Sequence, residues 1–244
     1  MNEFIDLLKS HRSVRKYEDR KIEEEKIAAI IEAAQWSATS SHFQAYSIIQ
    51  VEDAAKRRAI SELAGDQKHI VQCPLFLVYC ANLRRGKKFW DNLDIDILGN
   101  TEMLIIATVD AALAAQKAFV AAQSLGLGGV YIGGIRNDLI KLSTILELPE
   151  LVYPVFGMCL GYPAEKNPQK PRLPKDVIHK VDSYSEEGDE ALIAGYNDAM
   201  SRYYSERTGG KKQFSWSEHA GSSMMAKPRR YLGDFLKAKG FGLR

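Results

Sequence analysis

Apolar residues recur at helical spacing in two N-terminal stretches. Phe4, Ile5, Leu7 and Leu8 make one face of residues 2–9, and Ile27, Ile30, Ile31 and Ala34 make one face of residues 23–36. Both stretches are predicted helices, the first ended by His11-Arg12-Ser13. A polar run from Ser37 to Gln44 follows the second. Residues 46–51 are then a predicted strand and 53–63 a surface helix stopped by Gly65-Asp66. Residues 74–80 (PLFLVYC) are apolar enough for a central strand. The stretch 84–101 is charged and shows no clear period.

Residues 101–125 are the most apolar predicted helix. Their ATVDAALAAQKAFVAAQSLG core lacks a wide polar face, which places it inside the molecule or in a subunit interface. Residues 129–136 (GVYIGGIR) read as a strand running into a glycine turn. A helix over 137–146 and a strand over 153–161 (YPVFGMCLG) follow. Pro163, Pro168, Pro171 and Pro174 pin the next segment as an extended loop. The rest is a polar extension with helices expected over 191–207 and 231–239. Helices first, then strands separated by helices, give a layered α/β or α+β protein. No glycine-rich dinucleotide fingerprint follows the first strand, and there is no P-loop.

Composition narrows the picture. The 244 residues are 45% hydrophobic and 26% charged, the balance of a folded chain. A formal charge of +2 gives no whole-protein case for nucleic acid binding. The charge is uneven, however: residues 202–244 hold ten basic residues and three acids. Such a tail is either a solvated face or a lure for a phosphorylated small molecule. No run of about 18 apolar residues is free of charge, so no membrane span is expected. Cys73, Cys80 and Cys159 are too widely spaced for a disulfide framework, and fit buried thiols in a reducing cytosol. The five histidines are scattered, so no metal site is expected. Asp94 and Asp96 read as surface acids.

Four segments bear chemistry. His11-Arg12-Ser13-Val14-Arg15 offers two guanidiniums, an imidazole and a hydroxyl, suited to phosphate or simply solvated. Thr39-Ser40-Ser41 could cap a helix or donate to a polyol or phosphate. Gly133-Gly134, within Tyr131-Ile132-Gly133-Gly134-Ile135-Arg136, allows a ligand close to backbone, or is only a tight turn. Lys170-Pro171-Arg172-Leu173-Pro174 aims two cations from a stiffened loop. No nucleophile elbow and no metal motif is present, so an enzyme here would rely on a bound cofactor.

Together these segments resemble the FMN-dependent nitroreductase superfamily, in the branch of oxygen-insensitive NADPH nitroreductases and NAD(P)H-FMN reductases. The similarity runs over nearly the whole chain. It rests on residues 11–15, 44–49 (QAYSII), 125–137 (LGLGGVYIGGIRN), 156–161 (FGMCLG) and 170–174 (KPRLP), with Glu206-Arg207-Thr208 and Trp216-Ser217.

The resemblance implies an α+β fold, with a mixed sheet flanked by helices, in an intertwined homodimer. Residues 1–175 would be the FMN-binding core. Residues 176–244 would be an extension that wraps the partner and contributes to the NAD(P)H and acceptor site. His11, Arg12, Ser13, Lys170 and Arg172 would surround the FMN phosphate and ribityl chain. Arg15 and Gln67 would meet the pyrimidine end of the ring. Thr39, Ser40 and Ser41 would contact FMN from the other subunit. Tyr131, Ile132, Gly133 and Gly134 would line the ring near N5.

Arg207, Lys211 and Lys212 resemble the loop that recognises the NADPH 2′-phosphate, and Arg229 matches an acceptor-pocket arginine. Ala226 stands where one branch has lysine, beside Lys227. The implied activity is cytoplasmic, ping-pong reduction of nitroaromatics, quinones or free flavin by NADPH or NADH, with no catalytic side chain. The alternative main activities are release of reduced FMN and a peroxide-forming oxidase.

Overall fold

The sheet is built outward from its most apolar strand. A computed structural model describes residues 2–91, 93, 95–226 and 228–243. Asp94 and Lys227 lie outside the described residues, as does the side chain of Asp96. The strands are β1 (Tyr46–Gln50), β2 (Leu75–Asn82), β3 (Gly128–Ile132) and β4 (Val152–Gly161), in the order β1-β2-β4-β3. Each neighbouring pair is antiparallel. The parallel element is a bridge between Ser13 and Gly129 on the free edge of β3. Every β2 residue from Leu75 to Ala81 is buried, as its continuous apolar run predicts for a central strand.

Helices are placed by their caps and apolar faces. They are α1 (Glu3–Lys9), α2 (Glu24–Gln35), α3 (Ala54–Leu63), α4 (His69–Gln72), α5 (Arg84–Phe89), α6 (Ile95–Leu98), α7 (Thr101–Ser124), α8 (Leu139–Ile145), α9 (Lys175–Ile178), α10 (Asp189–Thr208), α11 (Trp216–Ala226) and α12 (Leu232–Ala238). Among the described residues side-chain caps start five of them, including α11, where Ser215 Oγ accepts from the Glu218 amide at 3.2 Å. Asn2 accepts from the Ile5 amide, Asp53 from Lys56, Asn100 from Met103 and Asp138 from Lys141, at 2.7–3.0 Å. α7 lies against β2 and α2. Its buried alanines, Ala107, Ala111, Ala114, Ala115, Ala118 and Ala122, let those backbones approach. Although α7 is long and apolar enough to cross a membrane, one of its faces is buried in this core.

The chain forms two compact units, residues 1–167 with 229–244, and residues 168–228. In the first, α12 and the residues after it bring Phe235 and Phe241 into the main core, where Phe241 meets Tyr153 edge-on at 4.9 Å. In the second, Tyr196, Met200 and Tyr204 form a small core with Leu173, Tyr203, Phe214 and Trp216. α10 stops at Gly209 in the left-handed region (φ 60°), and the Gly210 amide returns to the Ser205 carbonyl at 2.8 Å.

All three cysteines are free and buried, as expected, and burial pushes the Cys80 thiol up to about 12. The aperiodic stretch 84–101 contains α5 and α6. The predicted 137–146 helix starts only at Leu139, because residues 133–137 coil into a 3-10 turn first.

Candidate cofactor site

Residues 12–14 run extended along β3. The Val14 amide donates to the Gly129 carbonyl at 2.8 Å, and side chains alternate across this segment. Val14 and Arg12 share one side, lining a cavity of about 430 Å³ with Ser10, Gly128, Lys166 and Asn167. Arg12 Nε is buried there with no hydrogen-bond partner. Asn167 donates to the Ser13 carbonyl at 3.4 Å. His11 packs instead on Phe119, with ring centroids 5.3 Å apart. Phe119 stacks on Tyr131, and Tyr131 meets Phe156 edge-on. The structure thus brings His11 and Tyr131 together through one shared ring.

Arg15 is exposed and makes no hydrogen bond or ion pair among the described residues. Its charge reaches His69 on α4, whose pKa is lowered first by burial and then by Arg15. His69 Nε2 is buried without a partner. Two residues before His69, Gln67 donates to the Ala64 carbonyl at 2.9 Å. A Cβ on Gly134 would collide with Gln67 Nε2 and come within 2.6 Å of the Ala64 oxygen. Only glycine therefore lets the turn after β3 sit against Gln67.

That turn, Gly133–Asn137, is clasped from several sides. Arg229 donates to Asn137 Oδ1 and, at 3.5 Å, to the Gly133 carbonyl. The Tyr231 hydroxyl donates to the Arg136 carbonyl and accepts from the Leu139 amide, both at 2.8 Å. Arg136 Nη1 donates to the Val155 carbonyl at 2.7 Å. Burial, and then the charge of Arg229, lower the Arg136 pKa. Two neighbouring guanidiniums without a carboxylate partner among the described residues make the turn electropositive.

Thr39, Ser40 and Ser41 stand elsewhere, on a loop where Ser41, His42 and Gln44 are left-handed. No hydrogen bond among the described residues joins them to Arg12–Arg15 or to the glycine turn. In the second unit, Lys170 Nζ donates to the Tyr204 hydroxyl at 2.9 Å, and Arg172 folds back onto the Lys170 carbonyl. Arg207 donates to the Tyr203 hydroxyl at 3.3 Å, and Lys211 and Lys212 are exposed just beyond the glycine stop of α10. No metal-binding group of His, Cys, Asp and Glu exists among the described residues.

Sequence reading missed His69, Asn137 and Tyr231, which support the turn and its surroundings. It also missed Asp110, although a lone acid inside the apolar run of α7 is a visible signal.

The nitroreductase family model matches residues 8–162, and the model of the family's C-terminal domain matches residues 170–244. The chain belongs to the nitroreductase family. Among its relatives, an FMN reductase (NADPH) of Bacillus subtilis is 42% identical, over 99% of each chain. An oxygen-insensitive NADPH nitroreductase of Salmonella typhimurium is 38% identical over the full length of both. The solved structure of a B. subtilis nitroreductase superposes with a TM-score of 0.96 at 40% identity, covering 99% of this chain and 100% of that one. The nitroreductase fold, α+β with helices around the sheet, is therefore the fold of this chain, as the sequence led one to expect.

Proposed function

We propose that this protein is an FMN-dependent NAD(P)H oxidoreductase that reduces nitroaromatics, quinones or free flavin, and that it works as a homodimer. One observation carries the reading: the clasped Gly133–Asn137 turn, pressed on Gln67 and flanked by guanidiniums. The names of its relatives, an FMN reductase and a nitroreductase, support the same activity.

The residues present suit FMN. A phosphate needs donors with no other commitment, and the buried Arg12 Nε is one. The edge of a flavin pyrimidine ring accepts and donates hydrogen bonds, as does the amide of Gln67. Bound FMN would supply the redox chemistry that links NAD(P)H to an acceptor.

The chain supplies position and charge. Gly134 lets Gln67 lie against the turn, and Gly133 lets Arg136 do so, so that the turn would present its backbone and these side chains to a bound ring. Arg15, solvent-facing and uncommitted, would favour negative charge on a bound flavin. His11 and Tyr131, packed through Phe119, give a firm wall beside Ser13 and Ile132. Lys170 and Arg172 serve anion binding from the second unit. There too, Arg207, Lys211 and Lys212 recognise the dinucleotide phosphate. Arg229 holds the turn and adds charge for the acceptor. Donor and acceptor use the same space in turn, in a ping-pong cycle, so no side-chain nucleophile is needed.

The dimer is supported by α7. Ile105, Val109 and Leu113 repeat every four residues along its outer face and are about half exposed (53%, 48% and 45%). An apolar stripe of this kind on a core helix suits burial against a second copy. Three free thiols suit the cytoplasm.

Turnover tests the proposal. FMN-saturated protein should oxidise NADPH or NADH in the presence of nitrofurazone, a quinone or excess FMN. Activity with oxygen alone would point to an oxidase as the main role. No oxidation of either donor with any acceptor would overturn the function.

A further inference from the structure

Asp110 is the only charged side chain fully buried among the described residues, at 0% exposure in the middle of α7. Burying a carboxylate is costly unless its lone pairs are used. No cation pairs with it among the described residues. Instead Oδ1 accepts from the Ser40 amide and Oδ2 from the Ala45 amide, each at 3.0 Å. The two donors are opposite ends of one loop. The carboxylate therefore closes that loop as a staple would.

The loop between them is strained. Ser41, His42 and Gln44 have φ of 45°, 59° and 50°, a left-handed region that L-residues adopt at a cost. Two bonds within the loop also help hold it: Gln44 N to Thr39 Oγ1 at 3.4 Å, and Phe43 N to the Ser40 carbonyl at 2.8 Å. Strain of this sort persists where the surroundings over-determine a conformation. Here the over-determining group is mounted on a core helix whose next residues outward, Val109 and Leu113, lie in the apolar stripe.

We propose that Asp110 is a positioning residue for cofactor binding, fixing the Thr39–Ser40–Ser41 hydroxyls in the one loop conformation that presents them to FMN across the dimer. This rests on the function proposed above, and adds the device that sets the loop. The pair of amides explains why the residue is a carboxylate. Asparagine has one acceptor oxygen, and its amide hydrogens would face a second N–H.

The test compares Asp110→Asn with the wild-type protein. A second variant, Asp110→Glu, keeps the charge on a longer arm. A destabilised control, Val78→Ala on β2, lies far from the loop in sequence. FMN dissociation constants are read by flavin fluorescence, and amide hydrogen exchange is followed in the apoprotein. Both Asp110 variants should raise the FMN dissociation constant, Asp110→Asn by about tenfold. The Ser40 and Ala45 amides should exchange faster while those of β2 stay protected. Val78→Ala should lower the melting temperature and leave the FMN constant unchanged. An unchanged constant in Asp110→Asn, or an equal loss in Val78→Ala, overturns the positioning role. Failure of the wild-type protein to bind FMN would instead overturn the cofactor assignment, while the exchange comparison would still show whether Asp110 holds the loop.

Discussion

Arg229 and Asn137 are joined twice, with Nη2 and Nε of the arginine both donating to Asn137 Oδ1, at 3.0 and 3.2 Å. Ninety-two residues separate them in sequence. Through this pair the last segment of the chain closes on the turn that follows β3. Asn137→Ala removes the shared acceptor and leaves the arginine facing a methyl group. It should cost about 1–3 kcal/mol, the range for losing a charged hydrogen bond. Thermal unfolding measures the loss, and Tyr231→Phe, which breaks the neighbouring link to Arg136 and Leu139, should show a loss of the same sign.

Gly134→Ala should be worse than its single added carbon suggests. The new Cβ meets Gln67 Nε2, which could swing away, but also the Ala64 carbonyl at 2.6 Å, which is backbone. The turn must shift, moving both Gly133 and Gln67. Overpacking of this kind costs roughly 1–3 kcal/mol. FMN affinity should fall together with the melting temperature. An Ala variant with native affinity would show that the turn does not need its close approach.

Glu23 and Tyr162 predict an acid-sensitive link. The Tyr162 hydroxyl donates to Glu23 at 2.6 Å, and this bond is the main cause that holds the Glu23 pKa down to about 2, from an ordinary 4.5. A carboxyl whose folded pKa is depressed stabilises the fold at pH above its unfolded value. That contribution fades as pH falls from 4.5 towards 2. Glu23→Gln should therefore be less stable than wild type at neutral pH, and the gap should close across this window. Urea unfolding midpoints of the two proteins at a series of pH values measure it.

Much of this was legible in the chain, for a physical reason. α2, α7, β2 and β4 fall within a few residues of their predicted bounds, α2 because its apolar residues repeat at helical spacing, and α7, β2 and β4 because each is a nearly unbroken apolar run. α4, α5 and α6 are four to six residues long, too short to show a period. α11 buries none of its residues, so no stripe marks it. At the site, the glycine turn and Arg15 were visible as residue types. The alternation that sends Arg12 into a cavity with Val14 was not, because it depends on the bridge to Gly129. Nor was the left-handed backbone at Ser41, His42 and Gln44, where no glycine announces it.

The outer face of α7 predicts the assembly. Leu113→Asp puts a charge in the middle of the Ile105–Val109–Leu113 stripe, where the side chain is already 45% exposed in the single chain. The isolated fold should tolerate it. A dimer that buries the stripe should not, because an unpaired charge in an interface is expensive. Sedimentation should show a dimer for wild type and a monomer for the variant, with FMN affinity reduced in the latter. A wild-type monomer that binds FMN and turns over would contradict the dimer.

The most direct measurement is the absorbance spectrum of the protein saturated with FMN and freed of excess. Oxidised flavin absorbs in the visible and loses that band on reduction. Protein that retains the band, loses it on anaerobic addition of NADPH, and regains it on addition of a quinone or nitroaromatic would be the predicted result. Protein that retains no flavin, or retains flavin that neither NADPH nor NADH bleaches, would contradict the account.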